Sequence, residues 1–276
     1  MALFTCNLFA KTLYASVTVN VVLPTPDSSA DFFGSDARYP EAGEKFQTLY
    51  LLHGFSADYT DWQRFSRIES YACENKIAVV MASANNSSYT DLPYGGKYFT
   101  FFTEELPKLV EAIFPLSHKR ENRFVAGLSM GGFGTMKMAL LRPDLYAAAA
   151  SLSGGFGNRK PLAETVKDGS MPTIPSEKYR YNQYGENLEF YDDNKDDVKV
   201  MLKNALESGA ELPKLYMCCG TEDFIYPANK EFYEYAQSIG APITYVESPG
   251  VHDFYFWDPY IKKILEWMPL THGFVD

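Results

Sequence analysis

The stretch Arg123-Phe-Val-Ala-Gly-Leu-Ser-Met-Gly-Gly-Phe-Gly-Thr135 combines a strand, a sharp turn and the start of a helix. Residues 124–126 have the apolar character of a strand buried on both faces, and residues 130–141 are apolar enough for a buried helix that Pro143 ends. Between them, Gly127-Leu-Ser-Met-Gly131 has the G-x-S-x-G spacing of a nucleophile elbow. The stretch therefore predicts a strand, turn and helix with Ser129 at the turn as a candidate nucleophile.

The glycines around Ser129 indicate how such a turn could be built. A Cβ at position 127 or 131 would obstruct a chain that must pass close to its neighbours. Gly132 and Gly134 are poor helix formers, so their place in the first helical turn indicates close approach to a strand or a ligand. The Ser129 oxygen would point into open space at a helix N-terminus, where an anion is stabilised. The pentapeptide alone is also compatible with a structural turn, and the flanking strand and helix are what favour a nucleophile.

Segments with strand and helix patterns alternate along the rest of the chain. Besides the strand before Ser129, strands are predicted at residues 3–9, 13–23, 47–52, 76–81, 146–152, 215–219 and 243–247. Helices are predicted at residues 60–75, 99–116, 130–141, 198–206, 229–240 and 254–267. An initial antiparallel hairpin followed by this alternation predicts an α/β protein with a mostly parallel central sheet and helices on both faces. Ligands bind such sheets beyond the carboxyl ends of the strands.

One long segment breaks the alternation. Residues 155–208 are rich in Gly, Pro, Asn, Asp and Tyr, and a structureless loop of that length is uncommon inside a compact domain. We therefore expect a small, partly helical, lid-like insertion over one end of the sheet. Its acidic run at 192–197 is expected to be a solvated face. Residues 1–276 are predicted to form a single domain with one large core.

Composition disfavours several classes of partner. The net charge is −10, whereas nucleic acids and anionic membranes favour proteins with basic patches. The four cysteines include the adjacent pair Cys218 and Cys219 in an apolar run, which indicates core packing and neither a disulfide framework nor a metal site. The N-terminus lacks a signal-peptide pattern, and no apolar run approaches the roughly 20 residues that span a bilayer. A cytoplasmic location is expected, and the oligomeric state stays open, a homo-oligomer included.

A serine nucleophile needs a base, and the base needs a carboxylate that holds its tautomer. Of the four histidines, His252 directly follows the last predicted strand and is the expected base. Asp223, at the end of the strand after the insertion, is the expected carboxylate. Asp253 is disfavoured because a residue adjacent in sequence usually points its side chain elsewhere. The chain order Ser129, Asp223, His252 is that of the α/β-hydrolases.

The tetrahedral intermediate of acyl transfer also needs backbone donors for its oxyanion. One is expected to be the amide of Met130, directly after the nucleophile. The other is expected in His53-Gly54-Phe55, after the third predicted strand, as the amide of Phe55, with Gly54 letting the backbone turn inward. We interpret His53 as a structural imidazole that, with Gly54, lies at the substrate-binding site.

Four motifs follow one another along the chain. They are Leu51-Leu-His-Gly-Phe55 with Trp62 downstream, Gly127-Leu-Ser-Met-Gly-Gly132, Gly220-Thr-Glu-Asp223, and Pro249-Gly-Val-His-Asp253 with Trp257. In this order, from about residue 3 to residue 268, they resemble the putative esterase family of α/β-hydrolases, which includes tributyrin-type esterases and S-formylglutathione hydrolases. The resemblance implies an α/β-hydrolase fold and hydrolysis of short acyl esters by Ser129, Asp223 and His252 through an acyl-enzyme, without cofactor. Val251 and Phe254 depart from the family pattern of glycine and tryptophan, which bears on the acyl pocket.

The expected substrate is a small ester that carries an acetyl or similar short acyl group, or a feruloyl group. Tyrosines of the insertion combine an apolar body with a hydroxyl, which suits an alcohol-side pocket for a sugar or phenol, although they could merely cover the sheet. Besides His53 and Gly54, the predicted substrate-binding residues are Trp62, Trp257, Tyr181 and Tyr184. A thioesterase of the S-formylglutathione hydrolase type is the neighbouring alternative. A non-catalytic hydrolase-fold binding protein is disfavoured because candidates for all three triad members are present.

Overall fold

The computed structural model describes residues 1–26, 38–157, 182–185 and 188–275, and its strands form one eight-stranded sheet. The strands are β1 (Ala2–Ala10), β2 (Ala15–Leu23), β3 (Thr48–Leu52), β4 (Ala78–Ala82), β5 (Arg123–Leu128), β6 (Ala148–Leu152), β7 (Lys214–Gly220) and β8 (Ile243–Ser248). The helices are α1 (Asp61–Phe65), α2 (Ile68–Glu74), α3 (Tyr98–Thr100, the π-helical Phe101–Glu105 and Leu106–Ile113), α4 (Met130–Leu141), α5 (Asp193–Asp196), α6 (Val198–Glu207), α7 (Tyr226–Ser238) and α8 (Phe254–Trp267).

The strand order is β1-β2-β4-β3-β5-β6-β7-β8. β1 and β2 form the predicted antiparallel hairpin, in register from Ala2 opposite Leu23 to Ala10 opposite Ala15, and β2 is also antiparallel to β4. All other neighbours are parallel. The carboxyl ends of β5, β7 and β8 therefore meet at one edge of the sheet, where the chain continues into the loops that carry the predicted triad.

The sheet is buried on both faces, which explains the continuous apolar runs of its central strands. Successive side chains of β3 point to opposite faces: Tyr50 packs in one hydrophobic cluster with α3, α4 and α6, while Leu49 packs in a second cluster with α2 and α8. The predicted mostly parallel sheet with helices on both faces is confirmed.

Two predicted helices differ most from the observed ones. The helix predicted at 60–75 is broken into α1 and α2, because the hydroxyl of Ser66 donates to the carbonyl of Trp62 and the amide of Arg67 donates to Asp258 of α8 at 2.8 Å. The helix predicted at 99–116 ends at Ile113, since Phe114 precedes a proline and is extended. Within the described ranges, no helix is long and apolar enough to cross a membrane.

The described part of 155–208 packs on the helix that follows Ser129. Helix α6 confirms the helix predicted at 198–206, and the side chain of Asp197 caps it. The solvated acidic face predicted for 192–197 is wrong at Asp196, whose buried carboxylate lies 2.9 Å from the buried ammonium of Lys137 on α4. A buried carboxylate needs such a partner because burial without one is costly. Residues 158–181 and 186–187, Tyr181 among them, lie outside the described residues.

Candidate active site

Ser129 occupies a sharp turn between β5 and α4. Its backbone has φ 53° and ψ −116°, a region that non-glycine residues rarely adopt. Such strained residues cluster at functional sites, where the surrounding structure enforces the conformation. Here the surroundings do so: a Cβ on Gly127 would lie 2.5 Å from the carbonyl oxygen of Gly131, and one on Gly131 would lie 2.6 Å from the carbonyl oxygens of Leu52 and His53. The close approach predicted for these two glycines is confirmed.

The glycines of the first turn of α4 also face neighbours. A Cβ on Gly132 would lie 2.6 Å from the hydroxyl oxygen of Ser151 in β6, and one on Gly134 would lie 2.5 Å from the ring of Tyr89. Both glycines are therefore required by packing against a strand and a ring. Glycine lowers the intrinsic helix propensity of this turn, and the burial of α4 offsets that loss.

Ser129, His252 and Asp223 form one hydrogen-bonded chain. The carboxylate of Asp223 lies 2.8 Å (Oδ2) and 3.0 Å (Oδ1) from Nδ1 of His252, and Nε2 of His252 lies 2.9 Å from Oγ of Ser129. Because the carboxylate only accepts, Nδ1 carries the proton, and Nε2 is left to accept from the serine hydroxyl. The three residues that the sequence singled out thus have the geometry of a serine nucleophile, its base and the group that orients the base.

Asp223 is held as a carboxylate in a buried position. Burial alone would raise the pKa of Asp223, but hydrogen bonds from His252 and from the amide of Ile225 outweigh it and hold that pKa below its usual range. Its neighbour Cys219 is neutral, since burial raises the pKa of that thiol to about 12. The carboxylate of Glu222 accepts instead from the amide of Gly250. Asp223 is therefore the anion that faces the imidazole.

Asp253 has a different task. Its carboxylate accepts from the amides of Tyr255 at 3.0 Å and Phe256 at 3.3 Å, so it caps the N-terminus of α8. This is a common role for an aspartate before a helix. The geometry favours Asp223 over Asp253 as the partner of His252.

The loop after β3 passes directly beside Ser129. A Cβ on Gly54 would lie 3.5 Å from Cβ of Ser129, which puts this backbone, followed by the amide of Phe55, next to Ser129. Three bonds fix the loop: Nδ1 of His53 donates to the carbonyl of Gly54 at 2.7 Å, the amide of Ala84 donates to Nε2 of His53 at 2.8 Å, and the hydroxyl of Tyr89 donates to the carbonyl of His53 at 2.9 Å.

These bonds agree with the structural role predicted for the His53 imidazole. His53 is buried, both ring nitrogens are used inside the protein, and burial lowers the pKa of this imidazole so that it stays neutral. Its side chain therefore serves as the structural imidazole of the loop and offers no ring nitrogen to a substrate. The backbone of Gly54 remains the part of this loop that lies against the site.

Three other predicted substrate-binding side chains are also buried. Trp62 donates from Nε1 to the carbonyl of Leu52 at 2.9 Å, so it anchors the end of β3. Tyr184 is buried, with its ring edge against Tyr191 at 5.2 Å. Trp257 is buried beside His252. The structure does not favour direct substrate contact by these three rings, because all of them are buried and the indole nitrogens of Trp62 and Trp257 donate inside the protein.

The imidazole of His252 contacts two rings of unequal exposure. The buried indole of Trp257 is perpendicular to it at 4.9 Å between centroids, and the exposed ring of Phe224 lies at 4.6 Å. Nε1 of Trp257 donates to Oγ of Ser153 at 3.1 Å, and the Ser153 hydroxyl also lowers the pKa of Asp223. Ser153 thereby connects the indole that packs on His252 with the carboxylate that faces its Nδ1.

Ser153 and Phe224 were missed in the sequence. Phe224 directly follows Asp223, so its position could have suggested a role, whereas Ser153 has no motif of its own. Its signal is structural: it is buried, with a backbone φ of 45° directly after β6, and such strained positions cluster at functional sites.

Replacement of Ser153 by alanine is expected to lower kcat/KM about tenfold, the equivalent of about 1.4 kcal/mol for one lost hydrogen bond to a charged group. It should also move the acid limb of the pH profile to higher pH. The hydroxyl lowers the pKa of Asp223, so without it the Asp223 carboxylate holds a proton more tightly. The measurement is kcat/KM for one acetate ester across pH in both proteins.

Ser151 provides a matched control two residues earlier. It is also buried, but its hydroxyl has no hydrogen-bond partner among the described residues. Ser151→Ala should therefore keep the wild-type pH profile. Equal profiles for Ser153→Ala and wild type, with only a loss of thermal stability, would reduce Ser153 to a packing role.

In the described ranges, no group of three or more His, Cys, Asp or Glu side chains is arranged to hold a metal ion. Cys218 and Cys219 are buried within β7, as the packing interpretation predicted. The carboxyl edge of the sheet presents a serine hydroxyl, an imidazole, a carboxylate and nearby backbone amides.

Comparison with known proteins places this geometry among ester hydrolases. The family model described as Putative esterase matches residues 13–268. An acetyl esterase of Caldicellulosiruptor saccharolyticus is 32% identical over 269 residues, which cover 97% of this chain and 98% of that protein. Two Staphylococcus aureus structures, the fluorophosphonate-binding serine hydrolase FphF with substrate bound and the S-formylglutathione hydrolase FrmB, are each 35% identical, with TM-scores of 0.82 and 0.79. Each covers 97% of this chain, which in turn covers 98% of each.

Proposed function

The chain belongs to the putative esterase family and has its α/β-hydrolase fold, and on that premise we propose that it is a serine carboxylesterase acting on short-chain acyl esters through an acyl-enzyme on Ser129. One observation carries the proposal: the hydrogen-bonded chain from Asp223 through His252 to Ser129. These residues lie after β7, β8 and β5, so the parallel sheet brings together groups distant in sequence.

In the first half of the reaction, Nε2 of His252 takes the proton of the Ser129 hydroxyl as Oγ attacks the carbonyl carbon of the ester. The negative charge that forms on the carbonyl oxygen is stabilised by the amides of Met130 and Phe55, and one such donor contributes about 2.7 to 4 kcal/mol. When the intermediate collapses, the bond to the alcohol oxygen breaks and His252 gives that oxygen its proton. The acyl group remains on Ser129.

In the second half, a water molecule takes the place of the alcohol. His252 removes a proton from this water, the resulting oxygen attacks the acyl carbon, and the same amides stabilise the second oxyanion. Collapse breaks the bond to Oγ, and His252 returns the proton to Ser129. Asp223 stays ionised throughout and stabilises the imidazolium that forms twice in each cycle. No cofactor is needed for these steps.

The acyl group we propose is acetyl or one of similar size. An acetyl esterase is among the relatives that match nearly the whole chain. A feruloyl group is the larger alternative. A panel of p-nitrophenyl esters from acetate to octanoate, run beside methyl ferulate and acetylated xylan, tests this: kcat/KM should be largest for the shortest acyl chains. A maximum at octanoate, or no turnover of any ester, would contradict the proposal.

A thioesterase is the second candidate, because one of the structures that are 35% identical is an S-formylglutathione hydrolase. The same triad can cleave a thioester, with a thiol as leaving group. A comparison of kcat/KM for S-formylglutathione and p-nitrophenyl acetate separates the two functions. We expect the acetate ester to be the better substrate, and a preference of more than about a hundredfold for the thioester would reverse this choice.

The location and the domain organisation are further parts of the proposal. A cytoplasmic protein fits the net charge of −10 and cysteines that form no disulfide in the described chain. One domain with residues 155–208 as an insertion fits the single sheet. We propose a small-molecule ester as the partner that matters for function.

A further inference from the structure

Phe224 is a large apolar side chain in an unfavourable position. It is 70% exposed, and its ring centroid lies 4.6 Å from that of His252, with an angle of 56° between the ring planes. Val251, directly before His252, is also exposed, at 47%. Exposed apolar side chains are ordinary when scattered singly, but the exposed ring of Phe224 lies directly beside the imidazole of His252. A contact made only in the presence of substrate would explain them.

The sides of the imidazole are not equivalent. Nδ1 faces the buried carboxylate of Asp223, Nε2 faces Ser129, and the buried indole of Trp257 lies perpendicular to the ring at 4.9 Å. The side chain of His252 is nevertheless 18% exposed. Phe224 is the exposed ring beside it, so it borders the route by which a group can reach His252 from solvent.

The reaction fixes which part of the substrate takes this route. His252 must give a proton to the oxygen of the departing alcohol, which requires that oxygen to lie within about 2.6–3.2 Å of Nε2. The remainder of the alcohol then extends toward the open side of the imidazole. We infer that Phe224 forms the wall of the alcohol-side subsite and makes the enzyme prefer esters of flat, apolar alcohols such as phenols. This inference rests on the esterase function proposed above.

The chemistry of the wall favours such an alcohol over a sugar. The side chains of Phe224 and Val251 contain no hydrogen-bonding group, so the hydroxyls of a sugar placed against them would lose water without gaining a partner. An aromatic alcohol would instead pack against the Phe224 ring and remove its apolar surface from water. The Tyr184 side chain expected to serve here is buried, which leaves Phe224 as the described aromatic ring that is both exposed and next to the base.

The test keeps the acetyl group constant and varies the alcohol. Phenyl acetate, methyl acetate and acetylated glucose are compared in wild type, Phe224→Ala and the control Phe9→Ala, whose ring is 65% exposed on β1 at the far edge of the sheet. Phe224→Ala should lower kcat/KM for phenyl acetate about tenfold, mainly through KM, and change methyl acetate less than about twofold. Phe9→Ala should leave all three unchanged.

The reverse half-reaction gives an independent measurement. Benzyl alcohol added during turnover of phenyl acetate can replace water: its oxygen attacks the acetyl carbon on Ser129, its proton passes to His252 and then to Ser129 Oγ, and benzyl acetate is released. Phe224→Ala should lower the ratio of benzyl acetate to acetate. An unchanged selectivity and product ratio, or a parallel loss with all three esters, would overturn the inference while leaving the esterase intact. A higher kcat/KM of wild type for acetylated glucose than for phenyl acetate would also overturn the inference, and it would show a sugar subsite instead. Absence of hydrolysis by wild type would overturn the esterase function itself.

Discussion

Replacement of Ser129 by alanine is expected to lower kcat for p-nitrophenyl acetate about a million-fold, the loss typical of a nucleophile knockout. No other hydroxyl can take its place, because the strained turn at φ 53° points one side chain at Nε2 of His252. The fold should persist: alanine keeps the same Cβ, and the backbone bonds of the turn, such as the amide of residue 129 to the carbonyl of Leu152 at 2.9 Å, do not involve the hydroxyl.

The comparison needs both activity and folding in the same preparations. Circular dichroism and thermal unfolding should match those of wild type, and Ser151→Ala should retain activity within a few fold. If Ser129→Ala kept more than about a thousandth of the wild-type kcat after contamination was excluded, the nucleophile would have to be another residue.

The second large effect concerns the choice between two aspartates. Asp223→Asn is expected to lower kcat by about ten thousand-fold, because an amide in place of the carboxylate can donate to Nδ1 and leave Nε2 protonated, in the wrong tautomer to accept from Ser129. The loss also removes the negative charge that stabilises the imidazolium. The buried site magnifies both effects, since the Asp223 side chain is fully inaccessible to solvent.

Asp253→Asn is the matched comparison, with the same change of charge close to His252. Asparagine caps helices about as well as aspartate, so the bonds to the amides of Tyr255 and Phe256 should survive, and kcat should fall no more than a few fold. Comparable losses in the two variants, or a larger one at Asp253, would show that the wrong carboxylate has been assigned.

The geometry of the triad could be anticipated because it depends on topology. In a parallel sheet, every strand ends at the same edge, so residues that follow β5, β7 and β8 must come together even though His252 lies more than a hundred residues from Ser129. The apolar strands before these residues are long enough to be recognised in the sequence. Helix α8 was predicted with its observed bounds, because Asp253 marks its start and an amphipathic face continues to Trp267.

The uses of individual aromatic and imidazole side chains could not be anticipated in the same way. His53 lies within one of the four sequence motifs and Trp62 follows it, but their ring nitrogens bond to the amide of Ala84 and the carbonyl of Leu52. Residue type and position near a motif are the same for a ring that packs and a ring that binds. Only the partner of the polar atom distinguishes them, and that partner is set by the tertiary structure.

Long-range contacts also account for the errors in secondary structure and exposure. The break between α1 and α2 is stabilised by Asp258, distant in sequence, and the buried state of Asp196 depends on Lys137 in α4. Periodicity within a window reports neither contact. From sequence alone an acidic run is predicted to be solvated, because the cation that pairs with one of its carboxylates is not apparent there.

Covalent labelling by a fluorophosphonate is the most direct test of a serine nucleophile at position 129. One solved structure similar to this chain is a fluorophosphonate-binding serine hydrolase, so the probe suits the family. After reaction, digestion and mass spectrometry should find a single equivalent of probe, attached to the peptide that contains Ser129, with concurrent loss of esterase activity. Ser151→Ala should label like wild type and Ser129→Ala should take no probe. Attachment at another residue, or full ester hydrolysis by protein that never reacts with the probe, would contradict the proposed mechanism.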